Sequence, residues 1–274
     1  MINQIINNDC FNILKDIPDN SIDMILTDPP YMVSKEAKIA RQRNPLKRAK
    51  FYGKDISMMF GDWDMFASEE EYWKFIYKFL DESKRVLRNG GQFLCFFDKF
   101  KITPLVEWSR KNGFIPRQPL YYIKKNPCPM ARKVSFMNSH EQIFWATKFS
   151  TSRKYAVFNY ELGQHKDFEE APITPTLRIR ERHPTEKPLK IISWLISYLS
   201  KEEEIILDPF CGTGVTAEAC IRLNRKFICI EKDKKWSDIA LSRIKPLLEQ
   251  TKLSENGNKQ NLSGKLPGNI KDIS

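Results

Sequence analysis

The chain has 274 residues, 41% hydrophobic and 29% charged, which suits one large core carrying insertions and excludes a disulfide-stapled mini-domain or a wholly disordered polymer. A formal net charge of +11 favours a polyanionic partner, nucleic acid first. The opening MINQIINNDCF lacks the basic-then-apolar order of a signal peptide, no apolar run reaches the roughly 20 residues of a membrane span, and the six cysteines show no CxxC pairing, so the expectation is a cytoplasmic protein with no metal and mostly reduced core thiols.

Along the chain, a strand from Asp23 to Thr27 runs into Asp28-Pro29-Pro30-Tyr31. Prolines lack an N–H and fix φ, so this tetrapeptide predicts a rigid corner that ends the strand and holds a carboxylate. Between Lys35 and Lys54 cations greatly outnumber acids, with Phe51 and Tyr52 among them; the bland reading is a solvated surface. Ser68 and Glu71 form a capping box for a helix whose apolar face is Tyr72, Phe75, Ile76, Phe79 and Leu80, and Gly90 and Gly91 are expected to stop it.

A strand from Gln92 to Phe97 follows, then a helix from Thr103-Pro104 with Gly113 as its C-terminal cap. Strands are expected from Leu120 to Lys124 and from Gln142 to Ala146. Phe149 to Arg182 reads as polar and irregular, which in a compact domain marks a functional or disordered loop. Thr185 and Pro188 introduce a helix through Leu199, strands follow from Glu204 to Leu207 and from Phe227 to Ile230, and a last helix runs from about Trp236 to Leu248. The alternation predicts an α/β fold, a sheet with helices on both faces. The polar residues after Thr251 have too little apolar content to fold.

The stretch IILDPFCGTG, residues 205 to 214, takes a buried strand to Asp208 and then into a turn where Gly212 and Gly214 let backbone approach a ligand. The next strand ends in Glu231, about twenty residues on, where an acid accepts hydrogen bonds from ribose hydroxyls. A nucleoside cofactor is implied. The pattern F-x-G-x-G, without a GK[ST] element, argues against both NAD and ATP.

In Asp28-Pro29-Pro30-Tyr31, in HPTEKP at 183 to 188, and in Asp208-Pro209-Phe210-Cys211-Gly212-Thr213-Gly214, the chain resembles the S-adenosylmethionine-dependent DNA amino-methyltransferases. The catalytic tetrapeptide precedes the cofactor turn, as in the circularly permuted β class, and the resemblance covers nearly the whole chain from Asn7 to about Leu248. It implies a Rossmann-like methyltransferase domain over 1–250, with a basic insertion at 34–62, a target-recognition region at 148–182 and a disordered tail at 251–274.

The resemblance further implies that Asp28 and the Pro29 carbonyl grip an amino group, that Pro30 stiffens the corner and that Tyr31 stacks on an extruded base. Asp208, Phe210, Cys211, Gly212 and Gly214 would line the methionine end of S-adenosylmethionine, Glu231 its ribose, and Asp9 and Cys10 its adenine; Asp9 also suits an ordinary helix N-cap. Thr185 and Lys187 look like contacts to the methionine carboxylate. Lys35, Arg41, Arg43, Lys47, Arg48 and Lys50 are candidates for DNA phosphate, and Arg178, Arg180 and Arg182 for guanine or phosphate. Tyr122, Arg132 and Lys133 have structural readings of equal weight.

Glu186 stands where relatives often carry Gln, and Met32 and Val33 replace a more usual polar residue. The activity implied is N6-adenine methylation of a specific DNA sequence with base flipping. N4-cytosine methylation, whose enzymes more often carry serine in place of Asp28, and a catalytically silent DNA-binding partner stay open as alternatives, as do a homodimer and a cognate restriction endonuclease.

Overall fold

The computed structural model describes residues 1–32, 64, 66–129, 136–151, 156–173 and 185–257, with side chains up to residue 250. The candidate DNA contacts Lys35, Arg41, Arg43, Lys47, Arg48, Lys50, Arg178, Arg180 and Arg182, together with Arg132, Lys133 and residues 258–274, lie outside the described residues. The chain forms two units, Met1–Pro29 with Glu82–Ser274, and Pro30–Asp81.

In chain order the elements are β1 (Gln4–Asn7), α1 (Cys10–Leu14), β2 (Ile22–Thr27), α2 (Glu69–Val86), β3 (Leu87–Phe97), α3 (Ile102–Lys111), β4 (Phe114–Pro116), β5 (Leu120–Lys124), β6 (His140–Lys148), β7 (Phe168–Ala171), α4 (Leu189–Leu199), β8 (Ile205–Asp208), α5 (Val215–Arg222), β9 (Lys226–Glu231) and α6 (Lys234–Gly257). The sheet order is β1-β9-β8-β2-β3-β6-β5-β7, with β4 also on β6. From β1 to β3 every pairing is parallel. β6 enters antiparallel to β3, β4 and β5, and β7 returns parallel to β5.

The expected α/β class therefore holds, as a mixed sheet that is mostly parallel. Central parallel strands read as unbroken apolar runs because both faces are covered. Met24, Ile25 and Leu26 of β2, Phe93 to Phe96 of β3, Ile206 and Leu207 of β8 and Phe227 of β9 are accordingly buried. Each such side chain contributes about 1.5–3 kcal/mol relative to exposure. Helix α4 is buried from Ile191 to Leu199, the mark of an internal helix.

Four expectations change. Gly90 and Gly91 do not stop a helix: α2 ends at Val86 and the glycines lie inside β3. There the register jumps from Ile22↔Leu87 to Met24↔Gln92, Gly90 takes a φ of +76°, and a Cβ on Gly91 would fall 2.8 Å from Leu87. The pair builds a bulge that only residues without side chains fit.

The stretch from Phe149 to Arg182 is not wholly irregular, since β7 joins the sheet within it. Nearby, Val157 receives the buried amide of Gln92 at 2.7 Å, and Asn159 donates to the carbonyls of Ser197 and Ser200. Strand β4 was unexpected. The last helix continues past Leu248 to Gly257.

In the Pro30–Asp81 unit, Ser68 Oγ accepts from the Glu71 amide at 3.1 Å, and the Glu71 carboxylate reaches back to the Ala67 amide at 2.7 Å. This is the expected box, shifted by one residue at its return bond. Phe66 packs edge-on against Tyr72 at 5.3 Å and against Phe75 at 5.4 Å.

Candidate active site

Parallel sheets offer ligands the crevice at the carboxyl ends of their strands where the connections diverge. Here β8 leads to β9 on one side while β2, its other neighbour, has β3 beyond it. The side chains of interest in the larger unit converge on that edge.

At the end of β2 the Thr27 hydroxyl donates to Asp208 Oδ1 at 2.8 Å, tying the residue before Asp28 to the end of β8. Asp208 also accepts from Thr216 Oγ1 at 2.6 Å and from the Phe210 amide at 3.2 Å. Burial pushes its carboxyl up to about 6, against those three hydrogen bonds and with the charge of Asp28 adding to the rise. A carboxylate with three internal donors is a brace for the turn between β8 and α5.

In that turn Gly212 and Gly214 take φ of +51° and +79°. A Cβ on Gly214 would sit 2.8 Å from Ala240 Cβ, so this glycine lets α6 pack against the turn; one on Gly212 would meet nothing within 4 Å. Gly212 thus presents bare backbone to open space. Its amide donates to Glu231 Oε2 at 2.9 Å, while the Asp233 amide donates to Oε1 at 2.8 Å. Burial nevertheless raises the Glu231 carboxyl to about 7, with the charges of Asp233 and Asp208 adding to it.

Cys211 is a buried thiol pushed up by its contact with Cys229 and by burial, so it stays protonated. Beside β1, Asp9 caps α1 by accepting from the Phe11 amide at 3.0 Å and meets Lys232 at 3.2 Å. Burial, followed by the charge of Asp9, lifts the Cys10 thiol to about 12. Asn7 donates to the Glu231 carbonyl at 2.9 Å, joining the ends of β1 and β9.

Around HPTEKP, Thr213 Oγ1 donates to Glu186 at 2.6 Å and Arg243 bonds the same carboxylate at 2.9 Å. Arg243 also reaches Glu218 at 3.4 Å. Glu186 in place of the more usual Gln therefore has a cation to match it.

Lys187 is buried, and the structure gives it two of the chain's own carboxylates. Its Nζ lies 2.5 Å from Asp28 Oδ2 and 3.2 Å from Glu141 Oε2, 5.0 Å from the Phe96 ring centroid and 3.5 Å from the Thr185 carbonyl. Glu141 in turn meets Lys124 at 2.9 Å. Burial would lower the Lys187 pKa, but Asp28 and Glu141 carry it above its ordinary value. Burial would raise Glu141, yet Lys187 and Lys124 hold it at about 2.

No motif marked Glu141. The clue available was its place near the start of a strand in NSHEQIFWATK. Tyr122 is buried, and its hydroxyl donates to the Pro172 carbonyl at 3.3 Å, a packing role.

In the smaller unit the Tyr31 and Met32 amides donate to Asp64 Oδ1 at 2.9 and 2.6 Å, with Met32 at a φ of +59°. Asp64, 2% exposed, is a second residue that sequence reasoning missed. Two successive amides on one carboxylate fix the backbone leaving the double proline.

An edge built from a braced carboxylate, an open glycine turn and an acid at the end of the next strand fits a nucleoside-bearing cofactor. Residues 22–242 match the DNA methylase family. The chain is 30% identical over 260 residues to the type II methyltransferase M.HinfI of Haemophilus influenzae, covering 90% of this chain and 69% of that protein. It is 29% identical to M2.MboI of Moraxella bovis, covering 88% of each.

Among solved structures, the M1.HpyAVI–SAM complex shares the fold at a TM-score of 0.66 and 23% identity, over 88% of this chain and 98% of that one. The cytosine-N4-specific PvuII DNA methyltransferase does so at 0.65 and 16%, over 98% and 90%. No helix among the described residues is long and apolar enough to cross a membrane. The family match spans most of the sequence and contains both the tetrapeptide and the glycine turn: the chain belongs to the DNA methylase family, and it is a DNA methyltransferase.

Proposed function

We propose that the protein methylates the N6 amino group of adenine in DNA, with S-adenosylmethionine as donor. The observation that carries this reading is Asp28 itself, a carboxylate at the end of β2, one residue beyond the Thr27–Asp208 hydrogen bond that leads into the glycine turn. S-adenosylmethionine, when bound, supplies a methyl carbon already activated by its positive sulfur. The chain's residues must prepare the amine.

An exocyclic amine is a poor nucleophile because its lone pair is delocalised into the ring. Asp28 accepts one N–H and the Pro29 carbonyl the other, which localises the lone pair; as the nitrogen gains positive charge, the Asp28 anion stabilises it until the proton departs to water. Tyr31 is assigned to stack on the base, which must leave the duplex to be reached. Gly212 and Glu231 are assigned to the cofactor's methionine and ribose ends, Asp9 and Cys10 to its adenine side. Cations of the 34–62 insertion and of the 148–182 region are assigned to DNA.

N4-cytosine methylation is the second reading, kept because a cytosine-N4-specific enzyme shares the fold. Incubating the protein with a tritiated methyl donor and unmethylated bacterial genomic DNA, then hydrolysing the DNA, separates the two. Label in N6-methyladenine is the expected result; label in N4-methylcytosine, or none, overturns the proposal.

Glu231 sets a pH dependence. Burial raises its carboxyl to about 7, and the ionised form is the stronger acceptor for ribose hydroxyls. Affinity for S-adenosylhomocysteine is therefore expected to be constant above pH 8 and to fall by up to about tenfold per unit below 7. Calorimetry across pH 5.5–8.5 checks this, with Glu231→Gln binding weakly and without that slope.

A further inference from the structure

We propose that Glu141 is a positioning residue for this reaction: it balances Lys187 so that the Asp28 carboxylate is held in place and remains a strong hydrogen-bond acceptor. The inference rests on the reading of Asp28 given above.

Four charged side chains from four parts of the fold line up with alternating sign. Lys124 ends β5, Glu141 is the second residue of β6, Lys187 precedes α4 and Asp28 follows β2, with successive contacts of 2.9, 3.2 and 2.5 Å. The antiparallel register explains why they meet. Phe97, at the end of β3, pairs with Gln142, so Glu141 falls at the same edge as the carboxyl ends of β2 and β3.

Lys187 lies over Phe96 and is only 9% exposed, so its ammonium is held within the chain. A buried ammonium with a single carboxylate partner draws that partner's charge onto itself. If Asp28 were the only anion, its lone pairs would be spent on Lys187 and its pull on an amine proton would weaken.

Glu141 divides the attraction. It also sets the sign of the local field: with Glu141 ionised the four side chains carry no net charge, and with Glu141 neutralised they carry one net positive charge, which opposes the positive charge that develops on the amine. Lys124 anchors the far oxygen of Glu141, which keeps the carboxylate at the edge instead of free to turn into solvent.

The test compares wild type with Glu141→Gln in single-turnover transfer from tritiated S-adenosylmethionine to unmethylated bacterial genomic DNA, and in S-adenosylhomocysteine binding by calorimetry. The expected result is a rate about 10- to 100-fold lower, as for other supporting-shell residues, with cofactor affinity changed less than about threefold. That split separates positioning from a general structural role. Wild-type rates in Glu141→Gln, or a loss of cofactor affinity matching the loss of rate, overturn the inference.

If Glu141→Gln does not fold, Glu141→Asp, which keeps the charge but withdraws it by one methylene, is read in the same way. Slower transfer at unchanged affinity supports the role and wild-type transfer overturns it. Wild-type protein that labels no DNA would instead sink the reading of Asp28, a distinct outcome.

Discussion

Asp28→Ala is expected to lower single-turnover methyl transfer by more than about 10³-fold, the scale of losing a preorganised electrostatic partner of the transition state, while S-adenosylhomocysteine affinity stays within about threefold of wild type. The split follows from the local bonding. Asp28 is bound to Lys187, whereas the turn after β8 is held by Asp208, Thr27 and Thr216, and the ribose-side acid by the Gly212 and Asp233 amides. None of those bonds uses the Asp28 side chain.

The fold is expected to survive the loss, because Lys187 retains Glu141 as counter-ion. Asp28→Asn is expected to fall between Ala and wild type, since its amide oxygen still accepts a hydrogen bond but brings no charge. Measured transfer of tritiated methyl, paired with calorimetry on the same preparations, decides the matter. Wild-type turnover in Asp28→Ala would remove the residue from the mechanism.

What the sequence made legible was local. Apolar runs marked the central parallel strands because those are buried on both faces, and the glycine turn was readable because Gly212 and Gly214 adopt a backbone conformation that other residues take at a cost. The end of β2 just before Asp28 was readable because two prolines follow at once. Strand β7, with the sequence FEEA, carries no apolar alternation; it is a strand by virtue of pairing with β5, which no local signal encodes.

The bulge at Gly90 and Gly91 was misread for a similar reason. Two glycines after an amphipathic helix look like a stop, and only the register against β2 reveals that the strand has already begun at Leu87. The partners of the site are more distant still. Asp64 lies 33 residues beyond the backbone amide of Tyr31 that it binds, and Lys187 lies 159 residues from Asp28. Spacing rules cover neighbours on one element; pairings across a mixed sheet follow from topology, and the antiparallel entry of β6 is what brings Glu141 to the edge.

Lys187→Met tests the charge network from its centre, and here stability is the readout with the larger expected change. Removing one partner of a buried ion pair leaves an uncompensated charge and costs about 3–5 kcal/mol, which in a protein of this size lowers the melting midpoint by roughly 10 °C. The pH dependence identifies the cause. In the wild type Glu141 lies at about 2, below its ordinary 4.5, so its contribution is present above pH 4.5 and is lost as pH falls towards 2. Lys187 is raised above its ordinary 10.5, so its contribution is present below that value and is lost as pH rises through the folded value. Between those limits the wild-type network is at full strength. In Lys187→Met, Glu141 keeps Lys124 but loses the larger of its two charge partners, burial then favours its protonated form more than in the wild type, and the variant gains relative stability as pH falls. The gap in melting midpoint between the two proteins is therefore expected to narrow from pH 7 to pH 5. A gap of equal size at both pH values would mean that Lys187 matters for its packing over Phe96 and not for its charge.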